Sequence, residues 1–460
     1  MFKHVSPANP LLKDVWQVSR IAYGTYGLAL GLMQFVFYVF LYDKLGADAL
    51  ALKKSVFIFL LTSLACFFLE VPIGALGDYI GRKKTVVLSF FTAAVAYFFR
   101  SWIYFAPSPN FAFVLAITSV LFHSISYTLF SGSFVAWIVD TVKGRNVKEG
   151  YGPLLARGSS VMLLMKIVGA MIGMSLFLSG YVFYVFALSS IIALLCAIYC
   201  GIMMKETEAL KFHGGALFIR YTIDRMVNIM RIGFKATFTT PPLLYLLSVS
   251  ASFTVLMLLV NCLWPIAMKA NFGIEKMTFH WFFLVFTGLV GAFLGAKFLE
   301  FLQHENIRKN QDSLPPSSLW LWILGASLLM GIPILILGFL HWDGMMTIGI
   351  FTAGFVCFNI GFGFLMPSIT TLKNHYIPAE HSTERATILS WQSMITEIFI
   401  VALAFPSSGP SGEKTVVGWI LPASLLIISA LVVNVLLRRY QRKVGELPAK
   451  KRSLAGETVT

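Results

Sequence analysis

Long apolar segments recur along the whole chain, and short stretches rich in charged residues separate them. A helix needs about 20 apolar residues to cross the ~30 Å hydrocarbon core of a bilayer. Twelve segments reach that length, and each predicts a membrane-spanning helix. The predicted spans are 21–42, 55–77, 85–106, 111–139, 158–178, 182–204, 243–266, 279–299, 318–340, 346–372, 386–406 and 416–437.

The longest interruption of this pattern lies between the sixth and seventh spans, at 205–242. Within it, charged residues such as Arg220 and Asp224 alternate with apolar residues at helical spacing, which predicts a helix lying along the membrane surface. The sequence therefore predicts four regions. These are an N-terminal six-helix half at 1–204, a cytoplasmic linker with the surface helix at 205–242, a C-terminal six-helix half at 243–437, and a basic cytoplasmic tail at 438–460.

The composition agrees with a polytopic all-α membrane protein. Of the 460 residues, 57% are hydrophobic and only 12% are charged, and the mean hydropathy is +0.78. A soluble domain does not need so much apolar surface. The five cysteines all lie in apolar segments, so we interpret them as small buried hydrophobic residues. We expect no metal site, no cofactor and no enzymatic activity.

The distribution of basic residues predicts the orientation. If the N-terminus is cytoplasmic, 28 of the 36 lysines and arginines fall on the cytoplasmic side. Cytoplasmic loops carry such an excess in membrane proteins, so both termini are predicted to be cytoplasmic. The net charge of +15 then reflects topology rather than a nucleic-acid partner. We expect a monomeric multi-pass protein embedded in the lipid bilayer of the cell membrane, plasma or inner.

The most specific motif closes the second span and enters a short turn. It reads Gly-Ala-Leu-Gly-Asp-Tyr-Ile-Gly-Arg-Lys from Gly74 to Lys83. Gly74 and Gly77 permit close helix contact, and Gly81 permits a tight turn. The spacing closely resembles the loop motif between the second and third helices of major facilitator superfamily transporters.

The resemblance extends over about residues 15–440 and implies two six-helix halves that alternate access to a central site. In the family, the motif aspartate meets the start of helix eleven, and the arginine pairs with an acid that ends helix four. The matching residues here are Asp78, Arg82 and Asp140. The resemblance thus implies an inner gate formed by Gly74, Gly77, Asp78, Gly81, Arg82, Lys83 and Asp140.

Two departures from the family pattern limit what it implies. The equivalent turn after the eighth span, at 295–300, lacks the Asp and Gly-Arg pattern, so a symmetrical inner gate is not expected. The fifth span has Gly169 and Gly173 without the proline of the family's antiporter motif. That signature therefore does not support export.

Ionisable residues inside the spans are functional candidates, because an intramembrane charge must be paired or wetted. Glu397 lies about 18 Å into the eleventh span, and Glu70 and Lys166 lie about 12 Å from the membrane surface. Glu397 is a candidate for proton coupling or for binding a cationic group, or else a buried structural acid. Glu70 is a second candidate or a support of the gate. Lys166 is a counter-charge for either acid or a hook for an anionic substrate.

Polar residues on the helices that line the cavity in the family complete the candidates. His123 shares a helix face with Ser119 and Tyr127, so it is a substrate or proton group or a packing histidine. Arg100 is predicted to extend outward past aromatic residues to the membrane surface. The remaining candidates on spans one, four, seven and ten are Gln34, Tyr127, Asn261 and Asn359.

These observations predict a secondary active transporter for a small molecule. The preferred function is proton-coupled export of hydrophobic or amphipathic compounds, since acids lie at depth and no ring of polar groups suits a sugar. The alternative is uptake of a small organic solute, anionic if Lys166 binds it. An alternative of another class is a membrane sensor or interaction platform that does not transport. The sequence carries no phosphate-binding Gly-x-x-x-x-Gly-Lys-Ser/Thr motif of an ATP-driven pump.

Overall fold

The computed structural model describes residues 12–145, 152–206, 215–272, 286–287, 290–291, 293–295, 297, 316–339, 344–377, 385–407 and 419–445. The regular secondary structure of these residues is helical. The α helices are α1 (Lys13–Gln34), α2 (Val36–Lys44), α3 (Ala49–Ile80), α4 (Arg82–Trp102), α5 (Pro109–Gly144), α6 (Gly152–Leu178), α7 (Val182–Met203), α8 (Gly215–Thr239), α9 (Pro241–Phe272), α10 (Pro316–Phe339), α11 (Gly344–Tyr376), α12 (Arg385–Ser407) and α13 (Ile420–Gly445).

The structure confirms the predicted class of an all-α polytopic membrane protein. Ten of the predicted spans correspond to described helices that are long and apolar enough to cross a membrane. The eleventh corresponds to α12, whose apolar part is shorter, at Ile388–Ala402. Most of the eighth, at 279–299, lies outside the described residues.

The helices extend beyond the predicted spans at several ends. The second span, predicted at 55–77, belongs to the 32-residue helix α3. A hydropathy pattern marks only the apolar part of a helix, whereas backbone hydrogen bonding continues through the polar ends. Asp48 fixes the start of α3, because its side chain accepts a hydrogen bond of 2.7 Å from the backbone N–H of Ala51.

The first span is interrupted, which its continuous apolar sequence did not predict. Helix α1 ends at Gln34, and α2 begins at Val36 after a turn at Phe35. Both parts together form one long apolar segment, Lys13–Lys44. The interruption lies about 30 Å from the first turn of α1, at a rise of 1.5 Å per residue.

The chain divides into two compact units, residues 1–226 and 227–460. In the first unit, α1 packs along α6 with unusually close backbones. A Cβ atom added to Gly31 would collide with the carbonyl oxygen of Lys166, and one added to Gly173 would collide with that of Leu32. Glycines on both helices thus allow the close approach that is common between membrane helices.

The rest of the first unit is built around α4 and α5. Helix α4 packs on α5 and α7, and α3 packs on α5. Aromatic rings fill the space between α1 and α5: Tyr26 stacks on Phe130 at a centroid distance of 4.4 Å, and Phe130 stacks on Phe134 at 5.0 Å. These buried rings hold the helices that carry the candidate site in fixed positions.

In the second unit, α10 packs on α11 and α13, and α9 packs on α12 and α13. Trp264 of α9 is fully buried against Phe355 of α11, with ring centroids 5.0 Å apart. Phe351 lies near Trp419, which precedes α13. The core of this unit is therefore aromatic as well.

The linker contains the predicted helix, α8. Its exposed apolar residues recur at spacings of three and four: Ile223, Val227, Met230, Phe234 and Phe238. Gly233 packs against Trp391 of α12, and the ring centroid of Phe234 lies 6.1 Å from that of Trp391. An exposed apolar stripe of this kind agrees with a helix that lies on a membrane surface. The region boundaries at 204/205, 242/243 and 437/438 remain predictions.

Candidate functional site

The turn between α3 and α4 depends on Gly81. This residue has φ +94°, a region that side-chain-bearing residues rarely adopt. A Cβ atom here would also lie 2.6 Å from Cδ of Glu206. Both backbone conformation and space therefore require glycine at the position that the motif predicts.

Arg82 and Asp140 lie next to each other, as the resemblance implied. The Nε atom of Arg82 is 3.9 Å from Oδ2 of Asp140, which belongs to the last turns of α5. Helix α3 approaches α5 closely near this pair, because a Cβ atom on Gly77 would be 2.7 Å from Oγ of Ser133. The structure thus brings Gly77, Arg82 and Asp140 together within the first unit. Their role as a gate is untested and remains a prediction.

Two other members of the motif differ from this group. A Cβ atom on Gly74 would meet no described atom within 4 Å, so the part of the chain that the structure describes shows no close helix contact there, and the role of Gly74 stays a prediction. Asp78 belongs to the last turns of α3, but its side chain lies outside the described part of the structure.

Glu206 is a neighbour of the turn that the sequence analysis did not identify. Its Oε1 accepts a hydrogen bond of 3.0 Å from the backbone N–H of Lys83, in the first turn of α4. A carboxylate in this place stabilises the N-terminus of a helix. The indole N–H of Trp137 donates to the carbonyl oxygen of Lys205 at 2.9 Å, which ties the end of α7 to α5. The sequence signal for this contact was the position of Glu206, an acid two residues after the end of the sixth predicted span.

A second unpredicted contact joins Asp14 and Arg145. The guanidinium of Arg145 donates hydrogen bonds of 2.6 Å to both carboxylate oxygens of Asp14. These bonds raise the pKa of Arg145. The pair links the first turn of α1 to the residue that follows α5. It lies within the same unit as the Arg82–Asp140 pair.

Arg100 does not extend to the membrane surface, so that prediction is wrong. Its side chain is buried and donates to Oγ of Ser119 at 2.9 Å and to Sδ of Met33 at 2.8 Å. The guanidinium also lies over the ring of Phe37, 4.1 Å from its centroid. These acceptors and the ring compensate for the loss of water, which makes the buried position stable.

His123 lies beside this arginine. Its ring centroid is 5.9 Å from that of Tyr97, and its buried Nδ1 atom makes no hydrogen bond with the described residues. This leaves a functional role for His123 as a prediction. Tyr127, one turn further along α5, is 48% exposed.

Lys166 is half-buried on α6 and makes no hydrogen bond or ion pair in the described part of the chain. Glu70, the candidate counter-charge in the same unit, is therefore not its partner there. In the second unit, Lys373 near the end of α11 donates to Oγ of Ser250 on α9 at 3.1 Å. Lys373 directly follows the tenth predicted span, 346–372, and was not among the candidates.

The acids and amides among the candidates lie on the predicted helices. Glu70 is half-buried on α3, and Glu397 is half-buried on α12. Gln34 ends α1 at the interruption of the first span. Asn261 is half-buried on α9, and the side-chain amide of Asn359 donates to the carbonyl oxygen of Phe355 on its own helix at 2.9 Å.

The helical membrane fold and the Gly81–Arg82–Asp140 arrangement agree with what the resemblance implied. The sequence profile described as "Major Facilitator Superfamily" matches residues 20–404. The chain belongs to the major facilitator superfamily, which establishes it as a multi-pass membrane transporter and not an enzyme. No curated protein sequence matches the chain.

Solved transporter structures share this fold. The peptide transporter POT in complex with sulfate has a TM-score of 0.66 at 14% identity, covering 95% of this chain and 97% of that one. The xylose transporter XylE from E. coli, in an inward open conformation, has a TM-score of 0.60 at 13% identity, with coverages of 91% and 94%. The human organic anion transporter MFSD10 (TETRAN) has a TM-score of 0.57 at 16% identity, with coverages of 92% and 100%. At these identities the likeness shows the fold alone.

Proposed function

We propose that the protein is a proton-coupled secondary transporter that exports amphipathic compounds carrying a negative charge. The observation that carries this proposal is Lys166, an ammonium group on α6 without a carboxylate or other acceptor among the described residues. A cation within a membrane span requires a partner or water. An anionic group of the substrate supplies that partner.

The amphipathic character of the substrate is inferred from the aromatic rings that pack inside both units. Asn359 is engaged with its own helix, and the buried spaces of both units are filled with aromatic rings. A sugar would need several convergent hydrogen-bonding groups. An apolar body with one charged group fits these surroundings better.

Proton coupling is assigned to Glu397, with Glu70 as the second candidate. Glu397 is half-buried on α12, in the apolar stretch Ile388–Ala402. A carboxyl group at this depth can exchange a proton as the transporter changes conformation, and protonation then alters substrate affinity through linkage.

Uptake of an anionic solute is the second candidate, because Lys166 would serve it equally well. A transporter-like sensor is less well supported. A protein that does not change conformation has no need for both the Arg82–Asp140 pair and the glycine turn beside it.

A ligand-stabilisation screen tests the substrate class. Purified protein is heated with anionic, neutral and cationic amphipathic compounds at two pH values, and the change in Tm is measured. We expect anionic compounds to raise the Tm of the parent protein but not that of Lys166→Gln. Lys13→Gln, an exposed site on α1, is the matched control and should keep the response.

Stabilisation by cationic compounds alone, unchanged in Lys166→Gln, would overturn the proposal. Counterflow and accumulation assays in proteoliposomes then separate export from uptake.

A further inference from the structure

A groove of about 790 Å³ runs between α4 and α7 on the surface of the first unit. Its walls are almost entirely apolar and include Val87, Phe91, Ala197, Ile198 and Gly201. Phe91 is 50% exposed and Ile198 is 54% exposed, so this apolar surface is not covered by the described chain.

Two lysines stand at one end of the α4–α7 groove. Lys83 and Lys84 line it in the first turn of α4, and the apolar wall continues to Phe91, about 10 Å further along the helix. The groove therefore reaches from the level of the basic residues into one half of the ~30 Å hydrocarbon core. By the number of preceding spans, this end lies on the same side of the membrane as the start of α1.

The charged residues next to Lys83 and Lys84 contact groups other than the two lysine ammonium groups. Arg82 faces Asp140 on α5, and Glu206 is bound to the backbone N–H of Lys83. The backbone N–H of Lys83 thus has its acceptor, and neither lysine side chain makes a hydrogen bond or ion pair with the described residues. Basic groups between helices at the cytoplasmic surface bind the headgroups of anionic lipids.

We propose that the α4–α7 groove binds an anionic phospholipid. Its phosphate contacts Lys83 and Lys84, and one acyl chain lies along Val87, Ala197 and Gly201. Gly201 leaves room for the chain, since a Cβ atom there would meet only Val87, at 3.8 Å. The charge at the opening and the apolar wall behind it match the two parts of such a lipid.

Native mass spectrometry of purified, delipidated protein tests this inference with phosphatidylglycerol and phosphatidylcholine of identical acyl chains. We expect one phosphatidylglycerol to bind more tightly than phosphatidylcholine. Each lysine near a membrane surface contributes about a fivefold change in affinity, so the Lys83→Gln/Lys84→Gln double variant should weaken phosphatidylglycerol binding about 25-fold. Lys13→Gln/Lys235→Gln removes the same charge from exposed sites elsewhere and should have no effect.

The apolar part of the groove is tested separately. Gly201→Leu should fill it and weaken both lipids, and Ile198→Trp provides a second groove-filling variant at an exposed position. Gly325→Leu is the matched control on α10, where a Cβ atom meets nothing within 4 Å. Equal binding of the two lipids to the parent protein, or undiminished phosphatidylglycerol binding by the lysine double variant, would overturn the proposal. These outcomes are independent of the transported substrate.

Discussion

Arg145 holds both carboxylate oxygens of Asp14 through hydrogen bonds of 2.6 Å, although 131 residues separate the two in the chain. The contact joins the first turn of α1 to the end of α5. Since α1 also packs along α6, the pair fixes three helices of the first unit near one membrane surface.

Removing this ion pair should lower stability modestly. Asp14 is 53% exposed and Arg145 is 25% exposed, so water and salt screen part of the interaction. We expect a coupling energy of about 1 kcal/mol from a double-mutant cycle of Asp14→Asn and Arg145→Gln, measured by unfolding in detergent. The control is the exposed pair Arg220–Asp224 on α8, where the cycle should give no measurable coupling. An equal result for both pairs would contradict a structural role for Asp14.

Gly81→Ala should destabilise the turn between α3 and α4. Alanine at φ +94° costs about 1–3 kcal/mol, and its methyl group would press against Glu206. We expect a lower Tm and a lower yield of folded protein. Gly74→Ala is the internal control, because its methyl group meets nothing within 4 Å and alanine favours a helix. If both variants melt like the parent protein, the turn does not require glycine.

The gate prediction is tested through Asp78 and Arg82. If they hold the inward-closed state, Asp78→Asn should favour inward opening, and Arg82→Gln should act in the same direction by breaking the contact with Asp140. Site-directed labelling of cytoplasmic cavity positions should increase, and transport should fall while expression persists. Unchanged labelling with normal transport would remove the gate assignment.

The predicted orientation is tested by cysteine accessibility. Cysteines placed at residue 146 and in the tail should not react with impermeant reagents in intact cells, whereas one at Pro109, before α5, should react readily. The parent protein sets the background, since Cys66, Cys196 and Cys200 are buried. A reactive tail would mean that the number of spans is wrong.

Glu397→Gln should abolish proton-driven accumulation but leave substrate binding or passive exchange partly intact. The amide keeps the size of the side chain and removes its proton exchange. The measurement is accumulation in proteoliposomes as a function of pH, with counterflow as the control for binding. A Gln variant that still concentrates substrate with the same pH profile would move the coupling role to Glu70.

The structure agrees with those sequence-based predictions that depend only on a short stretch of the chain. Hydropathy located the spans, and the glycine motif located the turn at Gly81. The Arg82–Asp140 contact was implied by the family pattern and not by the residues alone. Long-range side-chain partners could not be predicted, because Asp14, Glu206 and Arg100 each meet residues from a distant segment. The sequence placed Arg100 near the outer end of its span, but only the fold shows that Met33, Phe37 and Ser119 surround it.

The buried position of Arg100 also affects how the chain enters the membrane during synthesis. An arginine near the middle of an inserting helix costs about 2.5–3.5 kcal/mol, and less towards its ends. Met33 and Phe37, which contact the guanidinium, belong to the first span and are made before α4. These two contacts are therefore available when α4 leaves the ribosome, whereas Ser119 on α5 is made later. We expect α4 to insert less efficiently alone than behind residues 13–44, so that the first span assists the insertion of the third.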